Sequence, residues 1–317
     1  MFWKMDPDSI HSFSRGDKKI VSLGYKQADE VIVKVEEALK AAALNAGYDL
    51  TVLYSDASVD VQLEQVKDAR KRGIRGIIIN LVTPASAPAI LEAAGNMKVI
   101  FIAHAPADMR ILNKNAIYIG ADQVEAGRLQ GEWLANYFKQ REKTEFRYIL
   151  ITGGELPVAH ERTQATLKAL ADNGITAIPV VPPIAANYER AEAKSQLLPI
   201  LKSGVKFDAI IANDDTMALG AIEALEAMGM NPAKTVIVGI DATEDGVRAL
   251  LDGKLALTVY INRKERAAAV IRALDNMLNA RPFDLGMENL VSRENPYSII
   301  FLYEPVTRYQ IPPDLYF

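Results

Sequence analysis

The chain has 317 residues, half of them hydrophobic, with 36 Lys and Arg against 40 Asp and Glu for a net charge of −4. That length suggests about two domains with sizeable cores, and the near balance of charge excludes a chiefly electrostatic binder of nucleic acid or of a membrane surface. The absence of cysteine excludes disulfides, thiolate metal sites, iron–sulfur ligation and cysteine nucleophiles.

Residues 1–17 hold no apolar run of signal-peptide length, and no stretch is apolar enough for a transmembrane helix. They read as a leader, with any targeting segment absent from this chain. From Lys18 onward, short β-branched runs alternate with longer amphipathic stretches. Ile20–Gly24 reads as a strand, and Ile32, Val35, Leu39 and Ala42 then mark one face of a helix. Thr51–Tyr54 is the next strand, and Val59, Leu63, Val66 and Ala69 mark a helix that Gly73 stops. Gly76–Asn80 and Val99–Ala103 are further strands around an Ala-rich helix. After Gly120-Ala121-Asp122 the pattern restarts. Tyr148–Ile151, Ala177–Val180, Ala209–Ala212 and Val236–Ile240 read as strands, with a helix over Met217–Ala227 and a last strand over Ser298–Tyr303. Such alternation builds parallel sheets covered on both faces.

The halves echo each other. Gly73–Asn80 resembles Gly204–Asn213, and each is followed by a helix and a similar strand. The spacing is too long for a solenoid repeat and fits two α/β lobes.

Nucleotide-binding glycine loops, the serine-hydrolase elbow and the zinc-protease helix motif are all missing. His11, His104 and His160 share no metal-ligand spacing. The chain therefore reads as a non-enzyme without cofactor or metal. The positive signal lies at the strand ends, where open parallel sheets bind ligands. Polar groups recur there: Asp29 after the first strand, His104 after the fourth, Gly153-Gly154-Glu155, Asn213-Asp214-Asp215, Asp241 and Asn262. Many acceptors with some donors suit a polyhydroxylated ligand, because each hydroxyl both donates and accepts. Asp at a strand–helix junction also serves as a helix N-cap. Asp122 and Asp215 read as caps, while Asp29, Asp214 and Asp241 read as caps or ligand acceptors. His160 and Glu161 read as a solvated helix face, Arg162 as a ligand donor or a surface ion pair, and Tyr188 as a platform for a sugar ring or ordinary packing.

These residues carry a resemblance. Ile79–Pro84, Tyr118–Asp122 with Glu125-Ala126-Gly127 and Gln130-Gly131, Ile211–Ala221 and Val238–Ala242 resemble, in order, the motifs of type I periplasmic sugar-binding proteins of ABC transporters, close in pattern to galactose/glucose- and ribose-binding proteins. The resemblance runs from Lys19 to Tyr303. It implies an α/β fold of two parallel-sheet lobes joined by a hinge of three crossings, and a small sugar or polyol trapped in the cleft between them. One lobe would span 18–121 plus 263–296, the other 122–262 plus 297–317. It also implies a monomer outside the cytoplasm, a membrane permease as partner and no nucleic acid; a sensor kinase as partner is the alternative. By position it makes Asp29, Arg162, Tyr188, Asp214 and Asp241 ligand-binding, with His104 and Asn262 beside departures from the family pattern at Ala103 and Ile261. Val31 stands where the family has a stacking Phe, and Leu156 and Val158 lie where galactose/glucose binders have polar residues. These losses favour a pentose. An ion pair between Arg162 and one of Asp214 and Asp241 is expected, since a cation keeps two converging carboxylates ionised.

Overall fold

The structure, a computed structural model, describes residues 18–25 and 30–315. The chain divides into two units by the contacts it makes with itself. One takes the described residues up to Gly120 with Arg263–Ile299, and the other takes Ala121–Asn262 with the described residues from Ile300 on. The chain therefore passes from one unit to the other at three places. The third lies inside the last long strand, between Ile299 and Ile300, a few residues beyond the position expected from sequence.

The first unit is built on a six-stranded sheet. Its strands are β1 (Lys19–Gly24), β2 (Asp49–Tyr54), β3 (Gly76–Ile79), β4 (Lys98–Ile102), β5 (Ala116–Ala121) and β12 (Ser298–Phe301), in the order β12-β5-β4-β3-β1-β2. The pairs from β2 through β1, β3 and β4 to β5 are parallel. Parallel strands covered on both faces are apolar on both, and β3 is buried at every residue. Helices α1 (Glu30–Asn45), α2 (Val59–Lys71), α3 (Ala87–Ala94) and α9 (Arg263–Leu278) belong to this unit. Helix α2 is capped by the Ser58 side chain and buries Gln62, Val66 and Ala69. Helix α1 departs from the expected apolar stripe. Its buried line runs through Leu39 and Ala43 and includes Glu36, a carboxylate that accepts a hydrogen bond from Tyr54.

The second unit carries β6 (Glu145–Thr152), β7 (Thr176–Pro179), β8 (Ile184–Ala185), β9 (Ala209–Ala212) and β10 (Val236–Val238) in a second sheet, ordered β10-β9-β6-β7, with β8 also on β6. Its pairs are parallel too. A separate antiparallel pair joins β11 (Thr258–Tyr260) to β13 (Glu304–Val306). The helices are α4 (Gln123–Lys139), α5 (Pro157–Asp172), α6 (Arg190–Lys202), α7 (Asp215–Ala227) and α8 (Glu244–Leu251). The core gathers Ile149, Ile151, Ile210, Met217, Leu225, Ile237 and Leu250. Two glycines bring α4 against α5. A Cβ on Gly127 would stand 2.2 Å from the Arg162 carbonyl oxygen, and one on Gly131 would stand 2.3 Å from that of Thr166.

Candidate functional site

In the second unit β6, β9 and β10 are neighbours, so their carboxyl ends lie side by side. Strand β9 runs out at Ala212 into Asn213-Asp214, and β10 leads through Gly239-Ile240 to Asp241. Arg162 sits in the second turn of α5 and is 5% exposed. Its guanidinium meets Asp241 through two bonds, Nη2 to Oδ1 at 3.2 Å and Nη1 to Oδ2 at 3.4 Å. Nη1 also donates to the Asn213 carbonyl at 2.7 Å and Nε to Gln123 Oε1 at 2.9 Å. The expected ion pair is formed, and its partner is Asp241. Burial works against the Arg162 charge. Asp241, with Tyr303 and Tyr188 nearby, outweighs it and holds the group above the ordinary guanidinium value. The two-pronged geometry fixes both side chains, as paired N–H donors to one carboxylate do.

Asn213 is fully buried and ties the strand ends together. Its Oδ1 accepts from the Gly153 amide at 3.2 Å, and its Nδ2 donates to Thr163 Oγ1 at 3.0 Å. Gln130, also fully buried, donates to the carbonyls of Ala212 and Gly239 at 3.0 and 3.2 Å. Asp214 caps α7, accepting from the Met217 amide at 2.8 Å. Asp215, expected to cap, does not. It lies one residue inside the helix, where its carboxylate accepts from Thr258 and from the Thr243 amide. Asp122 caps α4 as expected.

Tyr188 is half-buried and has φ +63, next to Asn187 at φ +51. The Glu189 amide closes this turn onto the Ala186 carbonyl at 2.7 Å. A bulky residue in the left-handed region carries a backbone cost, and such costs concentrate at binding sites. The Tyr188 ring lies on Gly153, where a Cβ would come 2.1 Å from a ring carbon. Asn262 stands two residues beyond the end of β11, at the last residue before the chain passes to the first unit.

In the first unit β4, β3 and β1 are neighbours, and their ends bring together Tyr25, Asn80, Ala103 and His104. His104 Nδ1 stands 2.7 Å from the Leu81 carbonyl. A carbonyl only accepts, so Nδ1 carries a proton and donates it. The Tyr25 ring lies 5.3 Å from the His104 ring. Ala103 has φ +56, and its carbonyl accepts from the Tyr118 hydroxyl at 3.1 Å. Asn80, 7% exposed, has a buried Oδ1 without a hydrogen-bond partner among the described residues. Buried acceptors are seldom left so. Sequence reasoning assigned Asn80 no role, although the internal echo aligned it with Asn213. Asp29 lies outside the described residues, as does the Val31 side chain. His160 and Glu161 are exposed.

Two α/β units with polar strand ends, the second of them holding a buried Arg–Asp pair, have the build of a binding protein. Residues 20–282 match the periplasmic binding protein domain, and the chain belongs to that family. The D-galactose/methyl-galactoside binding periplasmic protein MglB of Haemophilus influenzae is 29% identical over 278 residues, covering 84% of this chain and 83% of that one. The ribose import binding protein RbsB of Salmonella typhimurium is 27% identical over 248 residues, 78% of this chain and 80% of its own. A solved ABC-transporter solute-binding protein from Bacillus halodurans, with bound myo-inositol, shares the fold with a TM-score of 0.75 at 24% identity over 92% of this chain and 95% of that one. These relatives bind solutes for transport and are not enzymes.

Proposed function

We propose that the chain is an extracytoplasmic solute-binding protein that captures a small sugar or polyol, a pentose favoured, and delivers it to a membrane permease as a monomer. The observation that carries the reading is the buried Arg162–Asp241 pair at the strand ends of the second unit. Asp241 offers acceptors to ligand hydroxyls and Arg162 holds it in place, while Asp214 and Asn262 add polar groups and the Tyr188 ring offers an apolar face. In the first unit, His104 and Asn80 offer polar groups at the strand ends. Asp29 joins them on the resemblance alone. Relatives that bind galactose or import ribose support the ligand class. The pentose preference rests on Ala103, Leu156 and Val158, which supply no polar side chain. A hydroxyl buried without a partner costs about 1–3 kcal/mol.

Titration calorimetry against ribose, arabinose, xylose, glucose, galactose and myo-inositol tests this. A pentose is expected to bind best, and Arg162→Ala to cost the bound sugar about 2–5 kcal/mol, because Asp241 stays buried without its partner. An unchanged dissociation constant in that variant removes Arg162 from the site, and no binding by any of the six removes the ligand class.

A further inference from the structure

The Asp241 turn is held in an unusual backbone conformation. Asp241 has φ +97 and Ala242 φ +45, both in the region that L residues other than Asn, Asp and Gly avoid. The Asp241 amide donates to the Val259 carbonyl at 2.7 Å, and most of the other contacts of the turn converge on one buried carboxylate. Asp215 is fully buried. Its Oδ2 accepts from the Thr243 amide at 2.9 Å. The Thr258 hydroxyl reaches its two oxygens at 2.8 and 2.9 Å, and the same hydroxyl accepts from the Ala242 amide at 3.0 Å. The Asp215 amide in turn donates to the Ile240 carbonyl at 2.8 Å. Residues 240, 242 and 243 are thus each fastened to Asp215, directly or through Thr258, and residue 241 is fixed between them. Space is cleared for the carboxylate as well. A Cβ on Gly239 would stand 2.2 Å from Oδ1, and one on Gly246 would stand 2.3 Å from Oδ2.

We propose that Asp215 is the positioning residue for Asp241: it touches no ligand, and through Thr243, Thr258 and Ile240 it sets the turn that aims the Asp241 carboxylate at Arg162. This rests on the reading of Arg162 and Asp241 as ligand-holding residues, but its structural half is tested without ligand. Asp215→Ala removes both carboxylate oxygens, so that the Thr243 N–H and the Thr258 hydroxyl lose the acceptor they share.

Crystal structures of the wild type and of Asp215→Ala are expected to differ at residues 240–243, with Asp241 out of its positive-φ conformation and the two-pronged contact to Arg162 lost. An intact Arg162–Asp241 pair in the variant overturns the proposal. Thr258→Val, which removes the bridging hydroxyl, should give the same change. If neither variant folds, the proposal is also overturned, because Asp215 then serves the core and not the turn. Affinity for ribose, galactose and myo-inositol supplies the second readout. Asp215→Ala should weaken whichever probe binds by about tenfold or more, and should add nothing in an Asp241→Asn background. The same loss in both backgrounds overturns positioning in favour of a general structural role. A displaced Asp241 with undiminished binding leaves the positioning intact and rejects Asp241 as a ligand residue.

Discussion

Two buried acids mark the cost of building these strand ends. Burial pushes the Asp215 carboxyl well above its usual value of 3.8. The Thr258 and Thr243 bonds pull against the shift, and the neighbouring Asp241 and Asp214 charges add to it. Glu36 is raised as well, by burial beneath β1 and against the Tyr54 bond and Lys40. The sign of the consequence is fixed by linkage. Between the ordinary carboxylate value and the raised one, the native state holds a proton that the unfolded chain has released. Stability therefore falls as pH rises through that window and is full below it. Asn at position 215 does not titrate. Urea unfolding of the wild type and Asp215→Asn between pH 4 and 7 should show the wild type losing ground to the variant as pH rises, with a slope of up to about 1.4 kcal/mol per pH unit. A difference between the two that is flat across this range would reject a raised Asp215.

At the scale of elements, the meeting of α4 and α5 decides where Arg162 stands. Gly→Ala inside a helix normally stabilises by about 0.8–1.0 kcal/mol. At Gly127 the added methyl would press on the Arg162 carbonyl, a backbone atom that cannot turn aside. Gly127→Ala is expected to destabilise the protein by about 1–3 kcal/mol and to weaken sugar binding, measured by urea titration and calorimetry. The elements themselves were legible from sequence, because buried parallel strands are uniform apolar runs and the helices between them have clear stripes. Strands β8 and β13 were not legible, being two and three residues long with Pro305 in the latter, and β5 was read only as a family motif and not as a strand. In α1 the apolar period pointed to Val35 and Ala42, while the buried line passes through Glu36, whose acceptor finds the Tyr54 hydroxyl. A contact of Arg162 with one of Asp214 and Asp241 was anticipated from their charges and strand-end positions; that Asp241 is the partner was not. The roles of Asp214 and Asp215 at α7 were not, since adjacent aspartates at a helix start read alike until the strand beside them is known. Asn80 was missed because its signal is a missing hydrogen bond, which only coordinates reveal.

Across the whole molecule, the last described residues complete the unit that carries Arg162. Strand β13 pairs with β11, with Val306 opposite Thr258, the residue that fastens the Asp241 turn. Val306 and Leu315 are buried in the same core as Ile237 and Leu250. Truncation before Glu304 is therefore expected to cost about 3 kcal/mol or more from those two side chains and to speed amide exchange at Thr258–Tyr260. Unchanged exchange there would show that β11 stands without its partner. The interleaved path of the chain also bears on the order of folding. While the ribosome has delivered only residues up to Asn262, the first sheet lacks β12 and its helix α9, and β11 has no partner strand. Neither unit can close in the order it is made. Lys98–Asn115 joins residues 17 apart in sequence, but Tyr48–Asp275 joins residues 227 apart, and contacts of that separation slow folding. A chain threaded three times between its units emerges from synthesis open and acquires both together.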